Sequence, residues 1–314
     1  MGGRYGYPHE VHLRAAFALV SLCGCNTAFG IGDLTFDEAE GTGGTGASGG
    51  GGGAENTGGA GGTGGMGGFG GGAGGSLPND LSDVGLVARY FLDDGRAGTT
   101  PPTALDASPN GADLGMQYDE GEPLWDTLDD NAGLRWIDSG NDGGAVLANV
   151  ADSPLGAALS DSSTVTVEIV ARLDAVVATS SRLFDIGHAG LTRLSLGSDT
   201  LGQFEVRLDD DTAAVFTSNV AGVRQVFHLV VDLRINDGAV MLYADGAPLS
   251  QVSRLFVSTT AIPIDPLDAF VVGNRLNGGR SIGGFIGYVA VYSQAFDDAR
   301  IAAHAARLLA SDDP

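Results

Sequence analysis

The chain has 314 residues and a formal net charge of −23, because 16 cationic side chains, all of them arginine, stand against 39 carboxylates. This charge argues against nucleic acid as a partner, since neutralising phosphates requires clustered cations. No apolar run reaches the roughly 18 residues that a membrane-spanning helix needs. The cysteines, Cys23 and Cys25, lie too near the start of the chain to give the rest of it a disulfide framework or a thiolate metal site.

Residues 1–25 have the pattern of a signal peptide. Arg4 and Arg14 precede a short apolar stretch, residues 15–22, which has about the minimum length of a signal-peptide core. A plain secretory signal peptide would show the same two features. We therefore expect the chain to enter or cross the cell envelope.

The end of this segment resembles a bacterial lipobox. Leu22 and Gly24 stand three and one positions before Cys25, where the motif has an aliphatic and a small residue. Cys25 fits better than Cys23, because Cys23 directly follows the bulky Leu22. The resemblance implies cleavage before Cys25, acylation of Cys25 and attachment to a membrane through this lipid anchor only. Asn26 after the cysteine favours the outer membrane or cell surface of a Gram-negative-type bacterium; release of the protein by secretion is the alternative.

Residues 26–79 are predicted to be a disordered linker. Between residues 41 and 75 the chain has 22 glycines in 35 positions. Glycine loses the most backbone entropy on ordering, and this stretch offers few side chains to bury in return. A phosphate-binding glycine loop is disfavoured, since no strand precedes the stretch and no lysine follows it.

Residues 80–314 read as one folded domain of β-strands. In residues 163–173, Val165, Val167 and Ile169 alternate with Thr166 and Glu168, which is the period of a strand packed on one face and partly covered on the other. Further strands are predicted at residues 85–92, 133–137, 182–186, 203–208, 213–217, 225–233, 239–244, 269–273 and 285–292.

Turn residues separate these strands, and helical spacing is confined to the end of the domain. Asn110-Gly111 and Asp245-Gly246 are typical of tight turns. Residues 297–310 place Ile301, Ala305, Leu308 and Leu309 roughly on one side of a helix. We therefore expect an all-β fold, an antiparallel two-sheet jelly-roll sandwich with a short C-terminal helix.

Four motifs resemble the LamG-like jelly-roll domains of the concanavalin A-like lectin/glucanase class. They are an opening strand and turn at residues 90–95 and 104–111, a strand and turn at 133–142, the strand 164–172, and a hairpin from His228 to Asp245-Gly246. Residues 285–297 resemble the closing strand before a short helix, except that Gly287 and Tyr288 stand where the family usually has acidic residues. The resemblance implies a jelly roll and a recognition function.

A glycoside hydrolase of this fold is the disfavoured alternative. Hydrolysis needs two carboxyl groups about 5–9.5 Å apart across the scissile bond. Glucanases of the class carry a Glu-x-Asp-x-Glu run on one strand, whereas Glu168 stands alone among valines and isoleucine. We expect Glu168 to be solvated or paired with an arginine, and no catalytic residue is assigned.

The acidic turns indicate a Ca²⁺ site, because calcium takes oxygen ligands from Asp, Asn and carbonyl groups. Asp94, Asp106 and Asn110 flank one loop and are the predicted ligands, although Asp and Asn are also ordinary turn residues. Trp125 and His188 are the candidate ligand-binding residues.

The other histidines are given structural roles. His228 is expected to be hydrogen-bonded within its strand, and His304 to lie at the surface of the terminal helix. The sequence as a whole predicts a non-catalytic module that recognises an extracellular glycan or protein. A structural or adhesive envelope protein without a small ligand is the alternative of a different class.

Overall fold

The computed structural model describes residues 81–93, 98–99, 102–119, 122–128, 131–160, 162–174, 180–188, 190–218, 222–235, 238–255 and 259–311. The predicted signal peptide, Cys23, Cys25 and the predicted linker lie outside the described residues, as does Asp94.

The described part of the chain is built mainly from short strands. Numbered in chain order, they are β1 (Leu86–Phe91), β2 (Thr103–Ala104), β3 (Leu114–Gln117), β4 (Leu124–Leu128), β5 (Asn131–Trp136), β6 (Gly144–Leu147), β7 (Thr164–Leu173), β8 (Arg182–His188), β9 (Leu191–Ser198), β10 (Phe204–Leu208), β11 (Asp211–Phe216), β12 (Arg224–Asp232), β13 (Ala239–Ala244), β14 (Ala247–Pro248), β15 (Gln251–Arg254), β16 (Ala269–Val272) and β17 (Gly284–Tyr292). The helices are α1 (Pro154–Leu159) and α2 (Asp298–Ala310), and a 3-10 turn at Val150–Asp152 precedes α1.

The strands form two antiparallel sheets. Sheet 1 has eight strands in the order β14-β13-β12-β7-β17-β5-β4, with β1 also paired to β17. Sheet 2 has nine strands in the order β15-β11-β10-β9-β8-β16-β6-β3-β2. This arrangement confirms the predicted all-β jelly-roll sandwich with a C-terminal helix.

The main core lies between the two sheets and follows from the period-two pattern of the strands. Val165, Val167 and Ile169 of β7 are buried in it, as the alternation predicts. Phe227 of sheet 1 meets Phe204 of sheet 2 edge-on, with ring centroids 5.2 Å apart. Trp136 is fully buried in the same core.

Helix α2 closes the opposite face of sheet 1. Its side chains Ile301, Ala305 and Leu308 form a second apolar cluster with residues of β7, β12 and β17. The carboxylate of Asp297 caps the helix by accepting a hydrogen bond from the N–H of Arg300 at 2.8 Å. Leu309, which the sequence placed on the buried side, is 42% exposed, and His304 lies beneath the helix instead.

Several elements carry too little pattern to be predicted from the sequence. These include β9, which alternates leucine with Ser195 and Gly197, and the short helix α1, which Ser153 caps and Pro154 opens. Among the described residues, no helix combines the length and apolar character needed to span a bilayer.

Candidate functional site

A polar cleft opens on the outer face of sheet 2, on the side away from the core. It encloses about 170 Å³ and is lined by Arg182, Asp185 and His188 of β8, by Thr192 of β9 and by Arg207 of β10. Arg275 and Arg280, from the segment between β16 and β17, complete the lining. We call it the arginine cleft, after Arg182, Arg207, Arg275 and Arg280.

Strand register forms the floor of the arginine cleft. Antiparallel pairing places Ser195 of β9 between Asp185 on β8 and Arg207 on β10. In the next outward-facing row, Gly197 lies between Arg182 and Glu205. The neighbouring residues Leu196, Val206 and Leu208 point to the core, so alternation alone turns these polar groups outward.

Gly197 lets Arg182 lie close against β9. A Cβ atom at this position would lie 2.0 Å from the carbonyl oxygen of Ser181 and 2.8 Å from Nη1 of Arg182. The guanidinium of Arg182 is almost fully buried, and its Nη1 lies 3.9 Å from Oε2 of Glu205.

Asn274 fixes the segment that carries the other two arginines. Its side-chain oxygen accepts the N–H groups of Arg275 and Arg280 at 2.9 and 3.0 Å. Its amide nitrogen donates to the carbonyl groups of Asn141 and Gly143 at 2.8 and 2.9 Å. Because Asn274 is fully buried, these four bonds hold the segment against sheet 2.

The arginines of the cleft bind mainly backbone carbonyl groups. Arg207 donates to Asp210, Arg275 to Gly278 at 3.1 Å and Arg280 to Ser180 at 3.3 Å. Among the described residues, Arg182 alone of the four forms an ion pair, the 3.9 Å contact with Glu205. The cleft therefore holds more positive charge than its own carboxylates neutralise.

Some polar groups in the floor lack a partner. The Nε atoms of Arg182 and Arg207 and the hydroxyl of Ser195 are buried without a hydrogen bond to any described residue. An unsatisfied buried donor costs about 1–3 kcal/mol. Atoms in the same state occur outside the cleft, at Nε of Arg172 and Arg300 and Nδ1 of His228, so the missing partners do not by themselves mark a ligand site.

Asp185 is the central carboxylate of the cleft. Burial raises its pKa to about 6, although Arg182, the hydroxyl of Thr192, Arg275 and Arg207 all oppose that rise. Burial also lowers the pKa of Arg280, and the positive charges of Arg275 and Arg207 lower it further. The cations thus repel one another at close range.

His188, which the sequence predicts to be a ligand-binding residue, lies in the lining of the arginine cleft. Its Nδ1 lies 2.6 Å from Oδ1 of Asp268, which is fully buried and also accepts a hydrogen bond from Arg193 at 3.1 Å. A carboxylate can only accept, so this bond places the ring proton on Nδ1 and leaves Nε2 for a ligand. Contact with a ligand stays a prediction.

Trp125 is not an open stacking platform. It is 4% exposed and belongs to the main core between the sheets. Trp125 also lines a shallower depression of about 400 Å³ on the outer face of sheet 1, together with Arg135, Arg172 and Phe285. The structure therefore places Trp125 as a residue that seals the sandwich, and its role in binding stays a prediction.

Two of the predicted calcium ligands, Asp106 and Asn110, hold a loop together. The carboxylate of Asp106 accepts four hydrogen bonds, from the backbone of Arg89, Ser108 and Ala112 and from the hydroxyl of Ser108, at 2.8–2.9 Å. The amide of Asn110 donates to the carbonyl of Val87 at 2.5 Å. The described residues contain no group of three or more His, Cys, Asp or Glu that could hold a metal ion. Because Asp94 lies outside the described residues, the calcium site stays a prediction.

Glu168 occupies a second polar cluster, and the prediction that it is solvated or paired with an arginine is wrong, because it is buried and its partners are histidines and tyrosines. It is fully buried under helix α2, together with His228, which lies directly opposite it on β12, and His304 of the helix. Its Oε1 lies 3.2 Å from Nε2 of His228 and 2.9 Å from Nδ1 of His304. The prediction that His304 is at the surface is also wrong, because α2 turns this side chain towards the sheet.

Two tyrosines and an arginine complete what we call the Glu168 cluster. The hydroxyls of Tyr288 and Tyr292 donate to Oε2 of Glu168 at 3.3 and 3.5 Å. Arg89 donates in turn to these hydroxyls at 3.2 and 3.1 Å. Burial by itself would raise the pKa of Glu168, but hydrogen bonds from His228 and His304 outweigh it and lower the pKa to about 2. The cluster fastens α2 to sheet 1, and Glu168 is too deeply buried to meet a substrate.

The sequence contains a signal for the Glu168 cluster and none for the arginine cleft. Glu168 and His228 are the polar residues at the middle of two long apolar strands, so pairing those strands would have brought them together. The four arginines lie 25, 68 and 5 positions apart along the chain (182, 207, 275 and 280), and no local motif links them.

Comparisons with known proteins agree on the fold. The family model described as the concanavalin A-like lectin/glucanases superfamily matches residues 138–302. No curated protein sequence matches the chain. A mutant of Trypanosoma rangeli sialidase that displays trans-sialidase activity has a similar structure, with a TM-score of 0.53, 18% identity, and coverage of 74% of this chain and 35% of the sialidase.

Two further solved structures are similar. Trypanosoma rangeli sialidase in complex with sialic acid gives a TM-score of 0.52 and 19% identity, with coverage of 73% of this chain and 34% of the sialidase. The binding domain of botulinum neurotoxin DC in complex with SialylT gives a TM-score of 0.49 and 13% identity, with coverage of 71% and 52%. The chain thus spans about a third of the length of the sialidases.

Proposed function

The chain belongs to the concanavalin A-like lectin/glucanases superfamily, and we propose that it is a non-catalytic recognition module that binds a glycan outside the cell through the arginine cleft. The observation that carries this proposal is the set of outward-facing polar groups on sheet 2, held by strand register and by Asn274. Directed donors and acceptors on a rigid sheet are what recognition of a hydroxyl-rich ligand needs.

The similar sialidases support this proposal through the shared fold alone. Their identity to this chain is 18–19%, and the chain spans about a third of their length. Binding or cleavage of sialic acid by those enzymes is therefore not transferred to this protein. The proposal depends on the residues of the arginine cleft.

A glycan array probed with the full chain tests the proposed function. We expect selective binding to a small set of oligosaccharides, and we expect the binding to weaken in Asn274→Ala, which releases Arg275 and Arg280 from their support. Asn131→Ala serves as the control, because Asn131 lies on β5 of sheet 1. An array that shows no binding, or binding that is equal in the two variants, would contradict the proposal.

Hydrolysis is a second candidate because of Asp185. A buried carboxyl group with a pKa of about 6 has the property required of a general acid near neutral pH. Chromatography of array-positive oligosaccharides after long incubation with the protein distinguishes the two functions. Oligosaccharides that remain intact would support the binding module. Cleavage products that form with the wild type and are absent with Asp185→Asn would establish a hydrolase.

We also propose that a lipid on Cys25 anchors this module in the cell envelope. The support is the lipobox-like run that ends at Cys25 and the glycine-rich segment that follows it. Cys25→Ala is expected to release the protein from the membrane fraction, whereas Cys23→Ala is expected to leave it there. Equal partitioning of both variants and the wild type would reject the anchor.

A further inference from the structure

We propose that the arginine cleft recognises an anionic sugar residue, one that bears a carboxylate or a sulfate group. This inference rests on the proposed glycan-binding function and names the class of glycan. It starts from the charge of the cleft, whose lining has four arginines against Asp185 and Asp210. The lining is therefore positive, at 4 − 2 = +2, and Glu205, which lies 3.9 Å from Arg182, reduces this to 4 − 3 = +1, in a chain whose net charge is −23.

Ion pairing within the protein does not account for this concentration of arginine. Elsewhere on the domain, Arg234 pairs with Asp232 at 2.7 Å, and Arg135 pairs with Asp174 at 2.6 Å. In the cleft, all four arginines instead donate to backbone carbonyl groups, and the one ion pair that they form among the described residues is the 3.9 Å contact of Arg182 with Glu205. Bringing like charges together costs free energy unless an anion compensates them.

The unpartnered atoms of the floor lie among these arginines. The side chain of Arg182 is 5% exposed and Ser195 is fully buried, yet Nε of Arg182 and Oγ of Ser195 have no partner among the described residues. Arg207 is paired with Ser195 in the strand register, and its Nε also has no partner among the described residues. An oxyanion has several acceptor atoms, and arginine recognises carboxylate and sulfate groups through paired N–H donors.

The volume of the arginine cleft limits the size of the ligand that it can hold. Its volume of about 170 Å³ is below the roughly 300–1,000 Å³ of pockets that enclose a drug-sized ligand. We therefore infer that it takes one charged sugar residue, and that the rest of an oligosaccharide extends over the outer face of sheet 2.

The test is an array that pairs each acidic oligosaccharide with its neutral counterpart: lactose with sialyllactose and with lactose sulfate, and oligogalacturonate with its methyl ester. The full chain is expected to bind acidic members at least tenfold more tightly than their neutral partners. The sialyllactose and lactose sulfate arms show whether carboxylate or sulfate is preferred. Binding is also expected to weaken as salt is added, because ionic contacts are screened.

A charge-matched pair of variants assigns the binding to the cleft. Arg207→Gln with Arg280→Gln removes two cleft cations, and we expect affinity for the acidic ligand to fall by about tenfold or more per arginine, as for charge-assisted hydrogen bonds. Arg234→Gln with Arg254→Gln changes the net charge equally, outside the cleft lining, and is expected to stay within about twofold of wild type. Urea midpoints for all variants confirm that each one is folded.

The outcomes separate this inference from the proposed function. Neutral oligosaccharides that bind as tightly as acidic ones would leave the glycan-binding function in place and overturn the inference. An affinity for acidic oligosaccharides that falls equally in the two double variants would also overturn the inference, since the attraction would then come from the overall charge of the protein. An array on which nothing binds counts against both.

Discussion

The two outer faces of the sandwich both gather charged residues, but they do so in opposite ways. On sheet 1, helix α2 covers Glu168, and His228, His304, Tyr288 and Tyr292 all bond to its carboxylate. On sheet 2, the arginine cleft leaves cations in excess and buried donors unpartnered. The carboxylate of Glu168 is buried among donors that compensate its charge, although Nδ1 of His228 has no partner among the described residues, whereas the arginine cleft has more arginines than carboxylates in its lining.

The largest expected effect comes from removing the charge at the centre of the Glu168 cluster. Glu168→Gln leaves four donors facing a neutral amide, and we expect a loss of about 3–5 kcal/mol in the free energy of unfolding, as for a broken buried ion pair. Urea denaturation measures the loss. Asp174→Asn is the control, because that half-exposed carboxylate pairs with Arg135 and Arg172 and should cost under about 1 kcal/mol. Equal losses in the two variants would refute the role given to the cluster.

Adjacent leucines of α2 test whether the helix packs on sheet 1. Leu308 is fully buried and Leu309 is 42% exposed. Leu308→Ala should destabilise the protein by about 2–5 kcal/mol, and Leu309→Ala by no more than about 0.5 kcal/mol. Thermal or urea unfolding of the two variants measures the difference. The reverse order would mean that the helix presents its other side to the sheet.

The stability of the protein is expected to depend on pH because of Glu168. Its pKa is lowered from 4.5 to about 2 in the folded protein, so the unfolded chain takes up the proton first as the solution becomes acidic. The stability due to this group is therefore present above about pH 4.5 and is lost as the pH falls towards about 2. Urea midpoints across this window should fall more steeply for wild type than for Glu168→Gln. Parallel curves would show that the carboxylate has no such coupling.

The smallest effect is expected from the arginine cleft. Arg280→Gln removes a cation that Arg275 and Arg207 repel, and we expect unfolding to change by less than about 1 kcal/mol, towards higher stability. Calorimetry on this variant and on Glu168→Gln compares the two faces directly. A large loss with Arg280→Gln would make the cleft a structural network like the one under α2.

The fold could be predicted because it depends on a repeated local pattern. Strands such as β7, β12 and β17 alternate over many residues, so their core faces are legible without knowing their neighbours. Of the residues that line the arginine cleft, His188 alone was a candidate from the sequence, and its contact with a ligand stays a prediction. The sequence predicted a solvated or arginine-paired Glu168 and a surface His304, because it does not show that α2, distant in the chain, covers this face of sheet 1.

The sequence by itself determined the class of this protein: an acidic all-β domain with a terminal helix, after a glycine-rich segment. Tertiary structure alone decided which polar residues meet. Residues 182, 207, 275 and 280 converge only when β8, β9 and β10 pair in register and Asn274 fixes the segment before β17. The physical reason is that hydrophobic alternation is a property of adjacent positions in the sequence. Which charged side chains come into contact depends instead on the order and register of the strands.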